Sequence, residues 1–221
     1  MKVVIEIDEL LKSVKEQVLV KRLDGDIVLE EFYLTVEGLA ESLMDGQYVE
    51  AVHSPILPKR CIQYSQLNRI KGIWQAIFEV PKDRFTIKYK DKVYKNVGFP
   101  RMLFVYQVTK EFTTISTIYA IRDNEEITED TLLYHFPFSH VSTDGHVCMG
   151  SNILPATSIK ELENFHFYFL TSPFGDDYGS KTIIGKSSVK DLFEGLQNKD
   201  FPDDWLVPKN FTLGQAIEQL K

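Results

Sequence analysis

The sequence predicts an α+β fold, with its strands ahead of its helices. Three observations carry this. Between residues 85 and 121, β-rich runs follow one another through short connections, as antiparallel neighbours do. Beyond residue 155, apolar side chains recur at helical spacing. The chain has 221 residues, 43% of them hydrophobic and 12% aromatic. That is enough for one sizeable core, with or without an extension.

At the N-terminus, residues 2–7 alternate loosely and are rich in Val and Ile, which predicts a strand. Residues 16–22 and 26–34 are two more β-rich runs, and Asp24-Gly25-Asp26 between them predicts a hairpin. Thr35 is placed to cap a short helix through Leu43, with Leu39, Leu43 and Met44 on one face and Gly46 ending it. Short strands are expected at 47–53 and 61–65, around the Pro55 and Pro58 loop. Residues 1–80 are assigned to a β-rich N-terminal extension and 81–221 to the main domain.

From residue 84 the pattern sharpens. Phe85–Tyr89 alternates, Lys90-Asp91-Lys92 turns, and Val93-Tyr94 begins a return. Met102–Val108 is continuously apolar, as a strand buried on both faces should be. Thr113–Ile121 is rich in β-branched residues and reads as the next strand. These runs predict an antiparallel meander. Ser158–Phe169 follows as a helix, with Ser158 and Glu161 forming a capping box. Ser188–Gln197 is a second helix, carrying Val189, Leu192, Phe193 and Leu196 on one face. Thr212 caps a last one through Leu220.

Composition narrows the function. A net charge of −7 argues against broad nucleic-acid binding. No apolar run reaches the ~18 residues of a membrane span. The acids within MKVVIEIDELL do not fit a signal peptide. Two cysteines, Cys61 and Cys148, fit free thiols in a reducing compartment, so a cytoplasmic protein is expected.

The chemistry concentrates in residues 134–155, which hold Cys148 and three of the five histidines, His135, His140 and His146. Pro137-Phe138 excludes a regular helix, and Asp144-Gly145 marks a tight turn just before Val147-Cys148-Met149. A thiol near imidazoles is a candidate nucleophile, because the thiolate is the reactive form and a nearby cation favours it. Zinc sites usually contain close Cys or His pairs, and only one Cys lies here, so no metal or other cofactor is expected. A Cys–His hydrolase would need a third, orienting residue, and none stands at a recognisable spacing.

Residues 137–152 read Pro-Phe-Ser-His-Val…Asp-Gly-His-Val-Cys-Met-Gly-Ser-Asn. This resembles the active-site loop of ubiquitin-conjugating enzymes, and more closely their prokaryotic family D, which includes PRTRC system protein B. GFPRMLFVY (98–106), TLLYH (131–135) and DDWLVP (203–208) also look like that family, so the resemblance covers roughly residues 85–215. One departure stands out: His140 occupies the place of the family's Asn, eight residues before the Cys.

The resemblance implies a ubiquitin-conjugating-enzyme-like meander with flanking C-terminal helices. It implies that Cys148 carries a ubiquitin-like protein as a thioester and transfers it to an amine. His140 would supply a hydrogen bond to the oxyanion, act as a base, or hold the loop. Asp144, Gly145 and His146 are supporting candidates on the turn. Asp176 and Asp177, 28 and 29 residues after the Cys, are comparable in order, though not aligned residue by residue, with the acid by which ubiquitin-conjugating enzymes orient the incoming lysine. A ThiF-type activating enzyme and a JAB-type metalloprotease are the implied companions. The alternative is a non-catalytic binding scaffold of the same fold with a structural Cys148.

Overall fold

The structure is a computed structural model that describes residues 2–7, 11–45, 54–68, 71–150, 152–184 and 188–219. It divides into two compact units, 1–53 and 54–221. The strand expected at 47–53 and the helix stop at Gly46 lie outside the described residues. The domain boundary expected after residue 80 falls instead between His53 and Ser54, because the strands at 61–80 hydrogen-bond into the larger unit's sheet.

In the first unit, β1 (Lys2–Glu6), β2 (Gln17–Asp24) and β3 (Ile27–Thr35) form an antiparallel sheet in that order. Gly25 turns the β2–β3 hairpin at φ +60, a conformation Gly adopts without steric cost. Thr35 then starts α1 (Val36–Asp45), its hydroxyl accepting from the Gly38 N–H at 3.0 Å. This is the expected cap.

In the second unit the strands are β4 (Cys61–Asn68), β5 (Ile73–Val80), β6 (Asp83–Tyr89), β7 (Lys92–Phe99), β8 (Arg101–Val108) and β9 (Phe112–Ile121). They are followed by β10 (Leu132–His135), β11 (Leu154–Pro155) and β12 (Pro208–Thr212). The main sheet has the order β12-β10-β9-β8-β5-β4, every pairing antiparallel, with β11 added to β9. The antiparallel run expected over 85–121 is therefore interrupted. β6 and β7 pair with each other as a separate two-stranded sheet, and β5 takes the place beside β8.

β8 is buried on both faces. Met102, Phe104 and Tyr106 join the larger core, while Leu103 and Val105 face a smaller core closed by Leu213 and Ala216 of α4 (Leu213–Gln219). The helix expected over 158–169 is shorter and in two pieces: a 3-10 turn, Glu161–Asn164, then α2 (His166–Leu170). Only half of its capping box forms. Glu161 accepts from the Ser158 N–H at 2.9 Å, but the Ser158 hydroxyl donates to that same carboxylate instead of accepting from the turn. Those bonds, with one from the Thr157 hydroxyl, hold the Glu161 carboxyl below its usual value. α3 (Val189–Gly195) is capped by Ser188, whose side chain accepts from the Asp191 N–H.

An aromatic cluster joins these parts. Phe99 at the end of β7 lies 4.4 Å, ring to ring, from Phe138 and 6.3 Å from Phe174. Phe138 stacks on Phe193 of α3 at 4.9 Å, and Phe174 meets Phe193 at 5.3 Å. Phe138 lies two residues before His140, and Phe174 three before Asp177. One buried cluster thus supports both loops of the site.

Candidate active site

β9 has ten residues and β10 only four, so much of one edge of β9 is left over. The chain after β10 covers that edge at two points. His146 bridges Thr117, and Leu154 of β11 pairs with Thr113. Between these anchors the chain lifts away from the sheet, and Cys148 sits on the lifted part, exposed.

The turn before Cys148 is a small hairpin. The Gly145 N–H donates to the Ser142 carbonyl at 3.0 Å, Val141 bridges Val147, and the Cys148 N–H donates to the His140 carbonyl at 2.8 Å. Gly145 is at φ +98, and a Cβ there would lie 2.8 Å from Thr117 Cγ2. Only glycine fits such a backbone so close to the sheet. The Asp-Gly signal in the sequence therefore has a second reason beyond the turn itself.

A second wall comes from residues 172–178. Together with His140, Cys148, Met149 and Asn152, it bounds a cleft of about 290 Å³. Asp177 lines this cleft and Asp176 does not. Asp176 instead accepts from the Tyr89 hydroxyl at 2.5 Å and pairs with Lys90 at 2.6 Å, which lowers its carboxyl below the usual value. It ties the loop to the β6–β7 turn. Asp144 and His146 are exposed on the hairpin and outside the cleft lining.

His140 lies in the left-handed region at φ +68, a conformation that Asn, Asp and His enter more readily than most residues. Its Nδ1 is 2.8 Å from Asp177 Oδ2 and its Nε2 is 2.8 Å from the Pro173 carbonyl. The ring also stacks on Phe174 at 5.2 Å. Both partners are acceptors, so the ring satisfies both at once only with a hydrogen on each nitrogen. Asp177 is thus the orienting partner that spacing could not reveal. Yet the other nitrogen faces Pro173 and not the thiol, which is the wrong arrangement for a Cys–His hydrolase base.

The profile described as Prokaryotic E2 family D matches residues 42–209. The chain belongs to this family. No curated protein and no solved structure matches it. E2 denotes the ubiquitin-conjugating class. His140, expected to stand in the place of an Asn, is a residue type that accepts the left-handed backbone.

Sequence reading missed two lysines. Lys181 Nζ donates to the Val141 carbonyl at 2.6 Å and the Tyr178 carbonyl at 3.1 Å. Burial lowers its pKa, with Asp177 opposing and Lys209 adding to the shift. Lys209 Nζ donates to the Thr143 carbonyl at 2.6 Å. No motif announces either one, since their partners are backbone carbonyls, those of Val141 and Thr143 distant in sequence. Burial chiefly lowers His135, with Lys209 and Lys181 adding to it. Cys61 is half-buried, its thiol 3.4 Å from the Gln63 carbonyl, and burial pushes it up to about 11. Among the described residues, no three His, Cys, Asp or Glu side chains gather as a metal site, and no helix is long and apolar enough to cross a membrane.

Proposed function

We propose that this protein accepts a ubiquitin-like protein as a thioester on Cys148 and passes it to an amine. The observation that supports this most is the exposed Cys148 on one wall of a cleft whose other wall carries Asp177, in a chain of an E2 family. The mostly antiparallel sheet and the C-terminal helices are compatible with an E2-like fold. Cys148 thiolate would attack the acyl carbon of the thioester on a ThiF-type activating enzyme, and that enzyme's thiolate would leave. An amine would then attack the same carbon, breaking the bond to Cys148 and losing its proton. Asp177, which lines the same cleft as Cys148, would orient that amine. His140 is a holder of the loop, because both its ring nitrogens are already spent on Asp177 and Pro173. A JAB-type metalloprotease fits as a companion that removes the modifier. Free thiols suit a reducing cytoplasm.

One observation favours the non-catalytic reading: His140 has no ring N–H left for an oxyanion. The test is loading with a ThiF-type activating enzyme, ATP and a ubiquitin-like protein. The expected product is a reductant-sensitive adduct that Cys148→Ser abolishes and Cys61→Ser retains. Absence of the adduct, with equal binding of the ubiquitin-like protein to wild type and Cys148→Ser, makes the scaffold reading the better one.

A further inference from the structure

Lys181 reaches both walls of the cleft at once. On one side it holds Val141, the neighbour of His140, whose carbonyl in turn accepts from the Cys148 N–H. On the other it holds Tyr178, the neighbour of Asp177 and itself a residue of the cleft wall. Its own backbone N–H donates to the Pro137 carbonyl at 2.9 Å, fixing where its side chain starts. The two segments it joins both contain strained backbone: His140 at φ +68 and Tyr178 at φ +58. Non-glycine residues hold that conformation only where their surroundings over-determine it. A half-buried ammonium facing two backbone carbonyls is a costly use of a charge for stability alone.

We propose that Lys181 is a positioning residue for the reaction at Cys148, setting the separation of the cleft walls by joining the Val141 and Tyr178 carbonyls. This rests on the proposed acyl transfer, but it concerns the geometry of the thiol and the acid rather than the identity of the acyl group. The ammonium acts through Val141, His140 and the Cys148 N–H on one side, and through Tyr178 and Asp177 on the other. With the crosspiece gone, the attacking amine and the acyl carbon are held less well. Misplacement by ~1 Å costs on the order of a hundredfold in rate.

The test uses the full chain with Cys61→Ser, acylated at Cys148 by a small acetyl-diglycine thioester, so it does not need an activating enzyme. Free lysine is the acceptor. Its amine nitrogen bonds to the acyl carbon, the carbon–sulfur bond breaks, Cys148 leaves as thiolate, and the amine proton passes to water. Discharge is followed by mass spectrometry at a temperature well below every variant's unfolding midpoint. Lys181→Met is expected to discharge roughly tenfold to a hundredfold more slowly. Lys181→Arg, which keeps donors for both carbonyls, is expected to recover most of the rate. Wild-type discharge by folded Lys181→Met, or an equal loss in both variants, overturns the proposal. Should Lys181→Met not fold, Lys181→Gln takes its place. A second measurement is independent of acyl transfer: with Cys61 retained, iodoacetamide should label Cys148 faster in Lys181→Met than in wild type, with Cys61 unchanged. Failure of the ubiquitin-like protein to load wild type defeats the proposed function and leaves this labelling difference to decide the role of Lys181.

Discussion

Single residues fix the site by different means. Gly145 does so by having no side chain: φ +98 and a contact of 2.8 Å from a built Cβ to Thr117 leave no room for another residue. Gly145→Ala is expected to destabilise the fold by roughly 1–3 kcal/mol, measured by urea unfolding, and to displace the turn before Cys148. His166 acts from the core. It is buried beside Phe85, Phe104 and Phe167, and burial lowers its pKa to about 4 against the opposing pull of the Glu163 backbone. A folded value below the unfolded one means that the unfolded chain binds the proton more readily. The stability this neutral ring contributes is therefore complete above pH 6.5 and lost as the pH falls towards 4. The loss amounts to about 3 kcal/mol. His166→Phe should flatten that part of the pH dependence, and unfolding curves between the two limits check it.

Among the elements, the helices show what a cap signal does and does not promise. Ser188 caps α3 as its sequence predicts, and α3 presents Phe193 to the cluster beneath both site loops. Ser188→Ala is expected to cost about 1 kcal/mol, seen as a lower urea midpoint at unchanged slope. Ser158 and Glu161 carry the same signal, yet their mutual hydrogen bonds consume it and a 3-10 turn results. β5 was illegible for another reason. Ile73–Val80 is apolar at positions facing both sides of the sheet, so no two-residue period marks it as a strand. β6 and β7 were legible as a hairpin, but which strands they would pair with was not.

Across the whole molecule, the sheet, both its cores and the site belong to residues 54–221. That fragment is expected to fold by itself. Its Cys148 should react with iodoacetamide at the rate seen in the full chain. A fragment that is unfolded by far-UV circular dichroism, or a Cys148 of altered reactivity, would overturn that expectation.

Cys148, its Asp-Gly turn and the family were legible because each depends on residues near one another in the chain: a turn type, a motif, a thiol. Asp177 could be named from its order after the Cys, but not told apart from Asp176. The fold separates them, sending Asp176 to Tyr89 and Lys90 and Asp177 to His140. The same holds for Lys181 and Lys209, whose partners are main-chain carbonyls that every residue carries and no pattern of side chains can mark. The sequence by itself determined the local turns, the caps of α1 and α3 and the candidate thiol. Only the tertiary structure decided which acid, which imidazole nitrogen and which ammonium meet around it, because those choices are made by contacts between segments far apart in the chain.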